Sequence, residues 1–128
     1  MAPDGKLIVD GGMNILGDLS VDGNFNVKGA ITGKELNIEK INVAIPQPDP
    51  DTGKSGASIG EATISAGQTS VVVETTAVTD KSRVFVTATT STGGQALVVI
   101  EKTAGESFKV ILNAPLTTEV KFDWWVVN

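Results

Sequence analysis

The 128-residue sequence contains no cysteine, no histidine and no tyrosine. Without cysteine there is no disulfide framework. Without histidine the chain lacks the side chain most often recruited for proton transfer near neutral pH, and no catalytic residue is expected in it. Ten Lys and Arg stand against fifteen Asp and Glu, for a net charge of −5. No basic cluster appears, which argues against nucleic acid or an anionic membrane as partner. The purely apolar runs extend over only a few residues, too short for a membrane-inserted span. Met1-Ala2-Pro3-Asp4-Gly5 lacks a charged start followed by an apolar core. It is therefore no signal peptide, and it reads as the start of an excised fragment.

Glycine, by contrast, is abundant and periodic. Between Leu7 and Gly33, glycines recur every six residues at Gly11, Gly17, Gly23 and Gly29, each closing the phrase apolar, any, apolar, any, glycine. In an extended strand, alternate side chains share a face. The apolar residues of that face are Leu7, Val9, Met13, Ile15, Leu19, Val21, Phe25, Val27 and Ile31. The even positions between 10 and 34 are mostly polar, with Leu16 and Ala30 as exceptions. This is strand periodicity, and short-period repeats of this kind mark β-helices and fibrous β-stalks. An ordinary meander is the plainer alternative, but its turns would bring polar pairs at wider spacing. The four glycines are expected at turns, where the backbone adopts positive φ or approaches another backbone too closely for a side chain.

One chain cannot bury this repeat. Burial of the nine apolar side chains falls short of the entropy lost in ordering the segment. A single-chain β-helix would also complete fewer than two coils and leave its edges open. Three chains wound about a common axis would turn each apolar pair into part of a closed core. Those nine residues are therefore expected to form an oligomer interface.

After Gly33 the spacing of apolar pairs changes from six to five at Leu36/Ile38 and Ile41/Val43. The apolar face then flips at each step, which a continuous strand does not tolerate. Residues 34–45 read as a transition of short strand pieces or one weak helical turn. "PQPDPDTGKSG", residues 46–56, reads as an extended linker. Residues 1–45 thus form a β-stalk with its transition, 46–56 a linker, and 57–128 a separate domain.

In that last domain, strands are expected at 61–64, 69–75, 83–89, 96–102, 108–113 and 119–127, separated by Gly-, Ser- and Pro-containing breaks. Six short strands so spaced indicate a small antiparallel β-sandwich. Several are apolar on both faces, among them "VVV" at 71–73, "ALVVI" at 96–100 and "FDWWVV" at 122–127. A lone sandwich leaves one face wet, so a second buried surface is expected. Phe122, Trp124 and Val126 share one face of the last strand and belong in the core. Trp125 and Val127 share the other face with Asp123, and both are expected at a subunit interface.

Other motifs favour plainer readings. "TGKS" at 52–55 matches the end of a phosphate-binding loop, but that loop needs glycine where Pro48 stands. Asp18 to Gly23 imitates the start of a calcium loop, yet position twelve is Gly29 instead of a bidentate Glu. Asp49 and Asp51 read as solvated charges. The Trp pair could form a sugar-stacking platform, though core and interface packing suits it better. No cofactor or metal is expected.

Glycine hexads followed by a small β-domain resemble trimeric β-structured fibre proteins, such as phage tail fibres and bacterial surface fibres. The closing "AGQTSVVVETTAVTDKSRVFVTAT…FDWWVVN" resembles a terminal domain of long repetitive bacterial proteins. The resemblance implies an all-β homotrimer: an intertwined stalk of β-helix type and a sandwich head that trimerises and terminates it. It also implies an extracellular, cell-surface or virion location, with outer loops free to contact a glycan or protein receptor. The alternatives are a monomeric carbohydrate-binding module using an exposed Trp, and a bactofilin-like cytoskeletal filament subunit, although bactofilins carry many more hexads.

Overall fold

Alternating apolar runs broken by turn residues become six strands: β1 (Ile59–Ile64), β2 (Ser70–Glu74), β3 (Arg83–Ala88), β4 (Val98–Thr103), β5 (Ser107–Ile111) and β6 (Val120–Val127). They come from a computed structural model that describes residues 5–128, so the reading of Met1 to Asp4 lies outside the described residues. No helix forms among the described residues, and none is therefore long and apolar enough to cross a membrane. The chain divides into two units, Met1–Ile38 and Glu39–Asn128.

All six strands belong to the second unit. They form two three-stranded antiparallel sheets, here called A and B. Sheet A runs in the order β1-β6-β3 and sheet B in the order β2-β5-β4. Only β4 and β5 are joined as a hairpin within one sheet; each other connection passes from one sheet to the other. The tight links use glycine where the backbone is left-handed. Gly67 (φ +79°) closes the turn in which the Gln68 N–H donates to the Ser65 carbonyl. Gly105 (φ +70°) does so in the β4–β5 hairpin, where Glu106 N–H donates to Thr103. Glu101 takes a positive φ (52°) at a bulge in β4, where the pairing with β5 shifts between Ile100 and Thr103.

The inward faces of both sheets make one core. Sheet A contributes Ile64, Val120, Phe122, Trp124 and Val126, and sheet B contributes Val73, Phe108 and Val110. The Trp124 ring meets Phe108 edge-on, with centroids 5.5 Å apart and planes at 70°. The expectation that Phe122, Trp124 and Val126 face inward therefore holds.

The 46–56 stretch differs from the expected extended linker. The Asp49 carboxylate accepts the Asp51 N–H at 2.8 Å, and the Gly53 N–H (φ +68°) donates to the Asp49 carbonyl at 2.7 Å. The Asp49 side chain is exposed, and it also folds a turn. The Thr76 N–H donates to the Ser55 carbonyl at 2.8 Å, and the buried Thr75 hydroxyl donates to the Ala57 carbonyl. The chain is thereby tied to the head from Ser55 onward. We expect Thr75→Val to cost about 1–3 kcal/mol, because it leaves the Ala57 carbonyl buried without its donor. Thr75→Ser should retain most of the stability. Urea unfolding of both variants checks this, and equal midpoints would contradict it.

Residues 34–45 form neither strand nor helical turn. The alternation at 7–33 predicts strands, yet within one chain none forms among the described residues, and every residue there is exposed. A strand needs a ladder partner, and the segment finds none among the described residues. The four glycines are not alike in one chain. Gly11 has a positive φ (+128°), but Gly17, Gly23 and Gly29 do not, and a Cβ on any of these three would meet nothing within 4 Å. Left-handed backbone is thus not their requirement in a single chain. Close approach remains as a reason only where another chain supplies the contact.

Candidate functional site

The outward face of sheet A gathers side chains that the core does not use. β6 is the central strand, so of its outward residues Lys121, Asp123, Trp125 and Val127 the middle two have cross-strand partners on both sides. The registers arrange them in rows. Ile59, Trp125 and Phe85 lie abreast across β1, β6 and β3. On one side of this row lie Glu61, Asp123 and Thr87, and on the other Arg83 pairs with Val127. Trp125 is 42% exposed and Phe85 55%, with ring centroids 6.3 Å apart. Such aromatic area on an outer face is unusual for a surface that only meets water.

The charges beside the row are exposed and form no ion pair among the described residues. Glu61 and Asp123 are direct cross-strand partners of like sign, an arrangement that is destabilising by itself. Neither has an ion-pair partner among the described residues, and neither does Arg83. At the β1 edge, Val43 and Ile45 share a shallow hollow with Ile59, Gly60, Glu61 and Asp123. The outer face of sheet B also carries apolar residues, including Val72 and Val98. Its central charge, Lys109, is answered by Glu101 at 3.7 Å.

Of the residues singled out in the sequence, the structure brings Trp125 and Val127 together on this face. The nine apolar residues Leu7, Val9, Met13, Ile15, Leu19, Val21, Phe25, Val27 and Ile31 lie in the other unit, and all are 38–74% exposed in one chain. Phe85 and Ile59 were not singled out, because their adjacency to Trp125 depends on β6 lying between β1 and β3. The signal for Phe85 was its parity in "RVFVTA", opposite to Val84 and Val86. The "TGKS" segment follows the Asp49 turn with no strand before it, and Lys54 lines an open hollow with Glu74 and Glu106.

The comparisons with known proteins bear on the head. No curated protein and no solved structure matches the chain. A family model described as the K1 capsule-specific polysaccharide lyase, C-terminal domain, matches residues 56–127. That span contains all six strands and the whole outer face of sheet A, and it covers more than half of the sequence. The chain therefore belongs to the family of the K1 capsule-specific polysaccharide lyase C-terminal domain.

Proposed function

We propose that this chain is the terminal module of a trimeric fibre or tail-spike protein, displayed on a virion or cell surface. Its stalk segment winds with two further copies, and its head trimerises and ends the stalk. The observation that carries this reading is the exposure of all nine hexad apolar residues in one chain. Such a stripe is unfavourable in water and becomes favourable when other chains cover it. The family match supports a terminal position next to a larger protein, since its name describes the C-terminal domain of a lyase. The chain itself is read as non-catalytic: its head matches the C-terminal domain of a lyase, and it has no histidine, the side chain most often recruited for proton transfer near neutral pH.

Sedimentation or light scattering tests the reading. The expected mass is three times the 13.2 kDa of one chain, and a monomer at micromolar concentration would overturn it. Val21→Asp should dissociate the stalk, because three buried carboxylates would face one another near the axis. Its circular dichroism should keep the signal of the head.

A second reading is favoured by the Trp125–Phe85 pair with Asp123 beside it, a surface on which a sugar ring could stack. The polysaccharide in the family's name makes capsule glycan the ligand to try. Under this reading Trp125→Ala abolishes glycan binding and leaves the mass unchanged. Under the fibre reading it weakens the trimer.

A further inference from the structure

We propose that the heads of neighbouring copies join head to tail through the outer face of sheet A, with Arg83 of one copy paired to Asp123 of the next. The proposal rests on the trimer reading above and adds to it which face closes the ring and through which residues.

The argument starts from the order of rows along the strands. Passing along this face, a cationic row (Arg83) is followed by an apolar row (Ile59, Trp125, Phe85) and then an acidic row (Glu61, Asp123), beyond which stands Lys121, already paired to Glu119 at 3.6 Å. The cation and the acids cannot meet within one chain. Arg83 is abreast of Val127, four residues from Asp123 along β6, which at about 3.3 Å per residue is roughly 13 Å. The aromatic strip is therefore flanked by a cation on one side and an acidic row on the other, neither with an ion-pair partner among the described residues.

A second copy of this chain supplies what each end lacks. A heterologous contact, Arg83 of one copy to the acidic row of the next, closes into a ring when the rotation between copies allows it. Three faces set around an axis, with strands running across that axis, bring the apolar rows inward toward one another. Arg83 of each copy then meets the acidic row of its neighbour at the corner, which also relieves the Glu61–Asp123 repulsion. Sheet B offers no equivalent, because Lys109 is already paired within the chain.

The absence of native cysteine makes a direct test available. A chain carrying both Arg83→Cys and Asp123→Cys cannot form the bond internally, because a disulfide needs Cα atoms within about 7 Å. Oxidation of the assembled full chain should give a covalent trimer as the end product on non-reducing electrophoresis. A trimer by light scattering that yields no cross-linked product would overturn the proposed contact while leaving the trimer reading intact. A covalent dimer that never proceeds to trimer would overturn the head-to-tail ring in favour of two-fold packing of the same faces. A wild-type chain that is monomeric would remove the trimer reading and the proposal with it.

Charge reversal provides a measurement that does not depend on the cysteines. Arg83→Glu should raise the concentration at which the assembly half-dissociates by about tenfold or more, and adding Asp123→Arg should restore it. Equal assembly of wild type, single and double variants would contradict the pairing.

Discussion

Replacing Trp124 with alanine is expected to unfold the head. The ring is 6% exposed on the central strand of sheet A, wedged edge-on against Phe108 from the opposite sheet. It thus links the two layers at their midpoint. Truncation removes the transfer free energy of an indole and leaves a cavity that neighbouring strands cannot close, a loss of about 3–5 kcal/mol. Small domains have total stabilities of the order of 5–15 kcal/mol, and a head of about 72 residues sits toward the lower end of that range. The expected result is loss of near-ultraviolet circular dichroism and a greatly lowered urea midpoint. Trp124→Phe is the informative control. The indole Nε1 is buried with no hydrogen-bond partner, so phenylalanine loses some volume but also removes an orphaned donor that costs about 1–3 kcal/mol. It should fall much nearer wild type. A Trp124→Ala head as stable as wild type would show that the two sheets do not depend on this contact.

These two tryptophans also show how far the sequence could be read. Period-two alternation placed Trp124 inside and Trp125 outside, because parity along one strand is a local property. The six strands were legible for the same reason, with ends shifted by one or two residues where pairing stops. What lies beside Trp125 was not legible. Ile59 and Phe85 reach it through β1–β6 and β6–β3 pairings that join opposite ends of the head, and no local pattern encodes such a register. Residues 46–56 misled for a different reason. Their prolines suggested an extended run, whereas the Asp49 side chain and Gly53 fold a turn that the charge pattern does not announce. At 7–33 the periodicity was clear, but alternation specifies a face and does not supply the chain that covers it.

Gly60 carries the second large effect, and its cause lies at the far end of the chain. Read alone, a glycine inside a strand is a weak point, and a side chain there should stabilise β1 by limiting the unfolded backbone. Its φ is not left-handed, so the backbone raises no objection. The objection comes from packing. A Cβ at this position would stand 2.8 Å from Cζ2 and 3.0 Å from Cε2 of Trp124, directly opposite in the register. The ring is rigid and held from the other side by Phe108, so it cannot yield as the tip of a flexible side chain would. Gly60→Ala should therefore destabilise the head by about 1–3 kcal/mol, despite the strand preference gained, and Gly60→Val by more. For a domain of this size each kcal/mol lowers the melting temperature by about 4–8 °C. The cause can be isolated by a double-mutant cycle. In a Trp124→Phe background the six-membered ring carrying Cζ2 is gone, so Gly60→Ala should cost little or become stabilising. If the penalty of Gly60→Ala were the same in both backgrounds, Trp124 would not be its origin, and the pairing of Gly60 with the indole would lose its structural meaning.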